Sequence, residues 1–436
     1  MTESIKSQRE ILDKLQIEKL NPMQHQAFRV IHSAAEIILL SPTGTGKTLG
    51  FLLPLIELLD PEKDSVQALI LVPSRELAMQ IEQVAREMGT GYKMNAAYGG
   101  RSIRKDKTEL KHPPAILVGT PGRIADHIRR GTIDPSSIQF LVLDEFDKSL
   151  EVGFTDEMKE ILEALPNLQK KILTSATKAL FIPPFVNLQK PEYIDFLDEG
   201  VSDLQIRLII SPQKDKLSTL VEALRHLGNQ PGIVFCNFKD SIQRVSDFLM
   251  QNNIPHGCFY GGMEQIDREQ ALVKFRNGTH QLLIATDLAA RGIDVPEIRF
   301  IIHYHLPLKR EEFTHRNGRT ARMHQDGTAY VLKWENEELP DFIPEAEIEQ
   351  LEARELPRPS PWQTLMISGG RRDKISKGDI AGLFFKIGKL NSDELGMIEL
   401  KPSYAYVGVR TTRMQELLSK VDNYKLKQKK VRVRVI

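Results

Sequence analysis

The chain of 436 residues has only two cysteines and no apolar run long enough to cross a membrane. A spanning helix needs about 20 consecutive apolar residues, whereas the longest apolar stretches, AEIILL and GFLLPLIELL, suit the core of a soluble domain. Cys236 and Cys258 lack the spacing of metal ligands, and Cys236 lies in an apolar run, so we expect a reduced residue in a cytosolic core. The charged N-terminal residues MTESIKSQREILDKLQ lack the apolar segment of a secretory signal. These absences argue against membrane-spanning and disulfide-rich secreted classes and predict a cytoplasmic protein without a membrane partner.

Charge is distributed unevenly along a chain whose composition, 41% hydrophobic and 27% charged, is that of an ordinary globular protein. Residues 361–436 contain 16 Lys and Arg against 7 Asp and Glu, a net charge of +9, whereas residues 1–360 carry −8. The acidic segment between them predicts a short helix and a proline-rich stretch, and we assign 346–360 as a linker. A small basic module joined to a larger acidic body indicates nucleic acid as the partner of the tail. A basic tail that is merely solvated remains the alternative.

Apolar runs of about five residues alternate with helical patterns up to about residue 345. The runs include EIILLS, QFLVLDE, PGIVFCNF and TAYVLKW, and each ends in small or polar residues. Continuous apolar strands followed by helices indicate buried parallel sheets, in which ligands bind at the carboxyl ends of the strands. Because the series breaks at 195–205, we predict an α/β domain at 1–200, a second at 201–345, the linker, and a small α+β domain at 361–436.

The segment SPTGTGKTLGFLLP follows the strand EIILL directly. A glycine-rich turn that opens a helix points backbone N–H groups and the helix dipole at a phosphate. Lys47 would reach the β- and γ-phosphates of a nucleotide, and Thr48 would ligate Mg²⁺. Ser41 stands where the general phosphate-loop pattern has glycine, and a turn without a ligand is the alternative interpretation.

Three carboxylates follow the strand of LVLDEFDKSL within four positions. After a phosphate loop, Asp144 would hold Mg²⁺ and Glu145 would orient and deprotonate the attacking water. Mg²⁺ and Lys47 would then supply the positive charge that these carboxylates need, and Asp147 would serve another task. A solvated acidic helix start is the alternative.

In their order along the chain, these motifs resemble those of the DEAD-box family of ATP-dependent RNA helicases over about residues 15–335. NPMQ resembles the Q motif, SPTGTGKT motif I, and DEFD the family's Asp-Glu-Ala-Asp with Phe146 in place of Ala. PSREL, Gly99-Gly100 and TPGR resemble RNA-contacting motifs, and SAT resembles motif III. The resemblance implies that ATP binds at Gln24, Thr43, Gly44, Thr45, Gly46, Lys47 and Thr48, and that Mg²⁺ binds at Thr48 and Asp144. It implies that RNA contacts Arg75, Gly100, Thr120 and Arg123. It also implies that Asp147, Ser175 and Thr177 couple the first domain to the second.

The second domain carries further motifs in family order. GGMEQIDREQALVKFRNG contains Gln265 and Arg268 as RNA contacts. ATDLAARGIDV resembles motif V, and HRNGRTAR resembles motif VI. The resemblance implies that Thr286 contacts RNA, Asp294 contacts the ribose of ATP, Arg319 and Arg322 act as catalytic arginine fingers, and His315 and Arg316 couple the domains. It implies two tandem RecA-like domains, in which a finger on one domain reaches a nucleotide on the other only when they close.

The RNA-facing residues are poor in aromatics, which suits contacts to phosphates and 2′-hydroxyls rather than to bases. The core therefore needs a separate element that recognises the target RNA, and the basic tail is the candidate. Residues 362–436 predict strand, helix, strands, helix and strand, and resemble the RRM-like domain of the DbpA branch, which targets a hairpin of large-subunit ribosomal RNA. Because the aromatic RRM signature is absent, we expect recognition through Arg371, Arg372, Lys374 and Lys377, with Tyr404 and Tyr406 as further candidates.

Several residues depart from the family pattern. Phe146 must find room beside motif I or lean away from the nucleotide, and we predict that hydrolysis survives. Ile17 stands where an aromatic often faces adenine, which predicts weaker or less selective ATP binding. Asn317 replaces the usual Ile of motif VI. His303 and His305 form a pair on one strand, but two ligands make no zinc site, so we favour a structural role.

Three functions follow from this interpretation. The leading one is an RNA-stimulated ATPase, monomeric, that locally unwinds structured ribosomal RNA on the large pre-ribosomal subunit. The second is an ATP-dependent RNA clamp or pseudo-helicase scaffold. The third is a DNA-acting ATPase with the same two-domain architecture, and stimulation by RNA but not DNA would exclude it.

Overall fold

The computed structural model describes residues 5–42, 44–100, 102–178, 181–197, 204–287, 298–320, 327–355, 359–410, 412 and 414–436. These residues form two parallel seven-stranded sheets and a four-stranded antiparallel sheet with a two-stranded ribbon. Within the described ranges, no helix combines the length and apolar character needed to cross a membrane. The α/β class with two parallel-sheet domains and a small C-terminal domain is confirmed.

The first domain is built on an all-parallel sheet with strand order β3-β4-β2-β5-β6-β1-β7. The five strands between the two edge strands are buried almost throughout, as expected for a parallel sheet covered by helices. The strands are β1 Glu36–Leu40, β2 Ala68–Leu71, β3 Met94–Ala97, β4 Ile116–Gly119, β5 Phe140–Leu143, β6 Lys170–Ser175 and β7 Glu192–Asp195. The helices are α1 Gln8–Leu15, α2 Pro22–Ser33, α3 Lys47–Leu58, α4 Arg75–Met88, α5 Ile103–Leu110, α6 Pro121–Arg129, α7 Phe146–Glu151 and α8 Thr155–Glu163.

The second domain repeats this architecture with strand order β10-β11-β9-β12-β13-β8-β14. Its strands are β8 Leu204–Ser211, β9 Gly232–Phe235, β10 Gly257–Phe259, β11 Leu282–Ala285, β12 Phe300–His303, β13 Gly327–Trp334 and β14 Glu347–Ile348. Its described helices are α9 Leu217–Leu227, α10 Lys239–Gln251, α11 Gln265–Arg276 and α12 Arg310–Asn317. In both sheets the polar motifs lie where strands end, as the sequence predicts.

The acidic segment before the tail differs from the prediction. No helix is found over 335–355, all of which are described, and β14 instead pairs in parallel with β8 at the edge of the second sheet. Arg207 forms an ion pair with Glu347, and His226 lies 3.2 Å from Glu349. The prediction of a short helix here was wrong, because the segment instead adds a short strand to the edge of β8.

The C-terminal domain has the predicted order of strand, helix, strands, helix and strand. Its sheet has strand order β16-β17-β15-β20, and hydrophobic side chains of one face pack against its two helices. The elements are β15 Trp362–Ile367, α13 Lys377–Gly382 with a π-helical continuation Leu383–Ile387, β16 Leu395–Leu400, β17 Ala405–Arg410, α14 Met414–Val421, β18 Lys425–Leu426, β19 Lys429–Lys430 and β20 Val433–Val435.

Candidate nucleotide and RNA sites

The phosphate loop joins β1 to α3 in the first domain. Gly44 and Gly46 have φ angles of 86° and 83°, a left-handed conformation that glycine adopts without strain. The Lys47 ammonium donates to the carbonyl oxygens of Ser41 at 2.5 Å and of Pro42 at 2.7 Å. Ser41, the departure from the glycine pattern, is fully buried and bonds its hydroxyl to that of Thr45 at 2.7 Å. The serine therefore reinforces the loop.

Gln24 lies directly beside this loop. Asn21 caps α2, and Gln24 closes the capping box because its Oε1 accepts from the Asn21 N–H at 3.0 Å. Its Nε2 donates to the Gly46 carbonyl at 3.2 Å, and Asn21 donates to the Thr45 carbonyl at 2.9 Å. A Cβ at position 46 would lie 2.5 Å from Nε2 of Gln24, so this contact requires glycine there. The predicted adenine-reading residue is thus fixed to the phosphate loop.

The acidic cluster follows β5. Thr174 on β6 donates its hydroxyl proton to Asp144, and the same hydroxyl accepts from the Glu145 N–H at 3.1 Å. Burial and the charge of Glu145 raise the pKa of Asp144 to about 6, against the opposing effects of Thr174 and Lys47. Burial also lowers the pKa of Lys47 to about 8. The structure therefore brings Lys47, Asp144 and Glu145 into one buried electrostatic cluster, as the sequence predicts.

The cluster holds one charge that the sequence analysis missed. Lys148 is fully buried, and its ammonium lies 3.0 Å from Oε1 of Glu145. The contact depends on Glu145, which adopts a left-handed φ of 47° just before α7 begins. Such a conformation in a residue other than glycine is strained and is typical of functional sites. Nothing in the residue order signalled this turn.

Phe146 does not occupy the nucleotide side of the sheet. Its ring is fully buried in the cluster that contains Ile124, Leu143 and Leu173, whereas Phe51 of helix α3 belongs to the cluster on the other face. Of the two predicted alternatives, the structure shows the one in which Phe146 leans away. The substitution of Ala by Phe is therefore a core substitution.

Motif III makes the contact expected of it within the first domain. The Thr177 hydroxyl donates to Asp147 at 3.2 Å, and Ser175 accepts from the Thr177 N–H at 3.0 Å. The coupling of these residues to the second domain stays a prediction.

The predicted RNA contacts of the first domain lie after β2, β3 and β4. Ser74 caps α4, and the Arg75 guanidinium lies against Gly99 and Gly100, where a Cβ on Gly100 would approach it to 2.6 Å. Arg123 donates to the Tyr98 carbonyl at 3.2 Å. Thr120 is buried at the start of α6. Arg75 and Gly100 thus lie together, and Tyr98 links the loop after β3 to Arg123.

In the second domain, Arg316 is the centre of a buried network. Its guanidinium donates twice to Asp287 at 2.6 Å, and also to the His305 carbonyl and the Asn237 side chain, both at 2.8 Å. These partners follow β11, β12 and β9, so Arg316 ties together the carboxyl ends of three strands. Its predicted role in domain coupling stays a prediction, but its described contacts lie within its own domain.

Asn317, which departs from the family pattern, pairs with the buried His303. Nε2 of the buried His303 lies 3.0 Å from Oδ1 of Asn317, which fixes the proton on Nε2. Burial and the charge of Arg316 lower the pKa of His303 to about 3. His305 offers Nδ1 to the Asn237 N–H at 3.3 Å. No cluster of metal-ligating residues occurs within the described part of the chain, and a structural role for this pair is consistent with these contacts.

The remaining second-domain residues lie at the same edge of the sheet. Gln265 begins α11, and its two side-chain polar atoms are buried with no hydrogen-bond partner among the described residues. The Arg268 guanidinium stacks on Phe259 at 4.8 Å. Thr286 directly follows β11, and His315 and Arg319 are buried in motif VI. Thr43, Asp294 and Arg322 lie outside the described residues.

Comparison with known proteins identifies the family. The DEAD/DEAH box helicase family matches residues 21–180, the helicase conserved C-terminal domain 215–324, and the DbpA RNA binding domain 364–435. ATP-dependent RNA helicase DbpA of Bacillus subtilis (strain 168) is 32% identical over 434 residues, covering 91% of this chain and 91% of the relative. DbpA of Escherichia coli (strain K12) is 30% identical and covers 98% and 96%.

This chain belongs to the DEAD-box family of ATP-dependent RNA helicases. A solved structure of S. cerevisiae Dbp5 bound to RNA and ADP BeF3 matches with a TM-score of 0.68 at 27% identity, covering 76% of this chain and 88% of the other. ATP as ligand and RNA as partner follow from membership of the family.

The DEAD-box core is joined to a C-terminal domain with an exposed basic turn. Arg371, Arg372, Lys374 and Lys377 are all exposed on the segment between β15 and the start of α13. The turn is held in shape because the Arg371 and Arg372 N–H groups donate to the carbonyls of Lys401 and Pro402 at 3.0 and 2.9 Å. These four cations are therefore presented to solvent on a fixed loop.

Tyr404 and Tyr406 have a different environment. Tyr406 is fully buried, and the Tyr404 hydroxyl donates to Glu269 of the second domain at 2.6 Å. Their rings contact each other edge to face at 5.3 Å. The Tyr406 ring is therefore closed to a base in this conformation, whereas Tyr404 is half-buried with its hydroxyl bonded to Glu269.

Proposed function

We propose that this DEAD-box helicase uses ATP and Mg²⁺ to unwind structured large-subunit ribosomal RNA locally during assembly of the pre-ribosomal subunit, and that it works as a monomer in the cytoplasm. The observation that supports this target is the basic turn at 371–377 within a domain that matches the DbpA RNA binding domain. Its cations suit phosphate contacts on a folded RNA.

Magnesium fits the residues present. Asp144 and Glu145 are two buried carboxylates side by side, and a divalent cation would offset the burial and the charge of Glu145 that raise the pKa of Asp144. Thr48 and Asp144 would hold the ion, with hard oxygen donors of the kind that Mg²⁺ prefers. When bound, it would neutralise charge on the phosphates.

The chain's own residues account for the hydrolytic chemistry. Lys47 exchanges its bonds to the loop carbonyls for bonds to phosphate oxygens. Glu145 orients the attacking water and accepts its proton, and Lys148 and Thr174 hold Glu145 in place. Arg319 would stabilise the charge that develops in the transition state.

The pseudo-helicase alternative loses its support in the structure. It depended on Phe146 disturbing the nucleotide site, and Phe146 lies in the core on the other face of the sheet.

Crosslinking followed by RNA sequencing tests the target. The full chain should enrich large-subunit ribosomal RNA, and a chain ending at residue 355 should not. A variant with alanine at Arg371, Arg372, Lys374 and Lys377 should behave like the truncation, whereas neutralising the exposed Lys420 and Lys425 in the same domain should change little. Enrichment of unrelated RNA by the full chain would contradict the ribosomal target.

A further inference from the structure

The C-terminal sheet has one face that its own helices do not cover. Leu365 and Val407 point to the side of α13 and α14, where they pack with Leu417. Because side chains alternate along a strand, Thr364 and Tyr406 belong to the opposite, outer face. Both are nevertheless fully buried, so another part of the chain must cover this face.

The covering element is helix α11, which belongs to the second helicase domain. The Tyr404 hydroxyl donates to Glu269 at 2.6 Å, and the Arg276 guanidinium donates to Glu399 on β16 at 2.7 Å. Charged hydrogen bonds of this length in partly buried surroundings are stronger than exposed ion pairs. Burial and the bond to Glu269 raise the pKa of Tyr404, which keeps its hydroxyl a donor.

The turn after α11 fits closely against the two central strands. The Thr279 hydroxyl lies 2.7 Å from that of Thr364, and the Asn277 amide donates to the same hydroxyl at 3.4 Å. A Cβ at Gly408 on β17 would lie 3.0 Å from Cγ of Asn277, so glycine allows the close approach. The outer face is therefore shaped to this turn.

The central strands of this sheet are those on which RRM domains stack bases. Here Thr364 and Tyr406 on those strands face the helicase domain and are closed to solvent. The exposed cations lie elsewhere, on the basic turn after β15.

Helix α11 serves two purposes at its two ends. It begins with Gln265, whose side-chain polar atoms have no hydrogen-bond partner within the described part of the chain, and it ends with Arg276, which bonds to the C-terminal sheet. A helix of twelve residues is a stiff rod of about 18 Å. Movement of the anchored domain would therefore be transmitted directly to Gln265 and Arg268.

We propose that the outer face of the C-terminal sheet is a permanent docking surface for α11, so that the second helicase domain and the C-terminal RNA-binding domain move as one rigid unit. RNA held on the basic turn is then fixed in register with Gln265 and Arg268. This inference does not require the RNA to be ribosomal.

Distance measurements between two spin labels test the docking in the full chain. Labels at Met250→Cys on α10 and Lys430→Cys on β19, both exposed positions, are introduced with the half-buried Cys258 replaced by Ser. One narrow distance distribution is expected, and it should not change when poly(U) RNA and ADP–beryllium fluoride are added. A broad distribution, or release of the tail when poly(U) binds, would overturn the proposal, since the face would then be mobile or an RNA site.

Charge reversal identifies the anchor. Arg276→Glu and Glu399→Arg should each broaden the distribution, and the double variant should restore it because the pair is rebuilt with opposite polarity. Lys420→Glu makes a matched charge change on α14, where Lys420 forms an exposed ion pair with Glu416, and should leave the distance unchanged. Single variants with the narrow wild-type distance would contradict the role of this pair.

ATPase assays separate the docking from the ribosomal target. Stimulation by E. coli large-subunit ribosomal RNA should fall about tenfold in each single variant and recover in the double variant, while stimulation by poly(U) is unchanged. Absence of ribosomal stimulation in the wild type would count against the proposed target alone, and the distance distributions then decide the docking. Equal stimulation of all variants by ribosomal RNA would overturn the proposed coupling.

Discussion

The two helicase domains each bury charged side chains at the carboxyl edge of a parallel sheet, but they balance these charges differently. In the second domain Arg316 has a full set of acceptors in Asp287, His305 and Asn237. In the first domain Asp144 keeps a raised pKa and Lys47 a lowered one although they share a cluster. Arg316 is thus hydrogen-bonded within its own domain, whereas Asp144 and Lys47 have pKa values shifted mainly by burial, as is typical of functional sites. Substitutions in the first cluster should therefore mainly reduce ATP hydrolysis, whereas substitutions in the second should mainly reduce the stability of its domain.

The largest effect is expected for Glu145→Gln. Loss of the general base should lower RNA-stimulated ATP hydrolysis about 10²–10⁴-fold without loss of ATP binding. Single-turnover hydrolysis and equilibrium nucleotide binding measure the two quantities. Glu151→Gln, at the exposed end of the same helix, is the control and should hydrolyse ATP normally. A Glu145→Gln variant with near-normal turnover would remove Glu145 from the chemistry.

Arg316→Met should instead destabilise the second domain. It leaves Asp287 without its ion-pair partner and should lower the free energy of unfolding by about 3–5 kcal/mol. Urea denaturation followed by hydrogen exchange of β9, β11 and β12 measures it. Arg310→Met, exposed at the start of the same helix, provides the comparison. If stability were unchanged while ATPase activity was lost, Arg316 would belong to domain coupling, and the contrast between the clusters would fail.

Phe146→Ala tests a residue that lies within a nucleotide motif but belongs to the core. The cavity should lower the free energy of unfolding of the first domain by about 3–5 kcal/mol. Hydrolysis measured well below the unfolding temperature should be retained. Phe154→Ala, at the partly buried margin of the same cluster, should cost less. Gain of ATPase activity on removing Phe146 would show that the ring does obstruct the nucleotide site.

Acid should destabilise the second domain through His303. Its pKa is about 3 in the folded state, below the ordinary value of 6.5, so the unfolded state binds more protons between these values. Stability is therefore complete above about pH 6.5 and falls as the pH drops towards 3, at most by about 1.4 kcal/mol per pH unit. Urea denaturation from pH 7 to pH 5 should show a shallower slope in His303→Leu. Some slope remains, because burial also lowers the pKa of His305, to about 4.

Asn317→Ile, which restores the usual family residue, should be harmful in this chain. It removes the partner of a buried His303 N–H and should cost about 1–3 kcal/mol. The double variant with His303→Leu should recover part of this loss, and a double-mutant cycle measures the coupling. Additive changes in the free energy of unfolding would show that His303 and Asn317 are not coupled.

The sequence predicted what depends on local order. Continuous apolar runs predict strands β1, β5, β9 and β13. The phosphate loop and DEFD lie immediately after two of these strands. The spacing of the motifs is therefore enough to predict that Lys47, Asp144 and Glu145 lie close together.

What the sequence did not predict depends on partners distant along the chain. Strand β14 has two exposed residues and pairs with β8, which lies about 140 positions earlier in the chain, so its own sequence does not mark it as a strand. Lys148 contacts Glu145 because of the left-handed turn at Glu145, which the sequence does not indicate. The role of Asn317 becomes clear from its contact with His303, which lies on a different element. The sequence offers Tyr404 and Tyr406 as candidate RNA contacts, whereas in the structure Tyr404 bonds to Glu269 of α11 and Tyr406 is buried.

The pairing of β14 with β8 also shortens the tether of the C-terminal domain. Arg354 still donates to the His226 carbonyl at 2.9 Å, so the chain is attached to the second domain up to Arg354. About seven residues remain, which extend to at most about 25 Å. Such a tether keeps a detached domain at a local concentration in the millimolar range, so that even a contact of modest intrinsic affinity would be occupied most of the time.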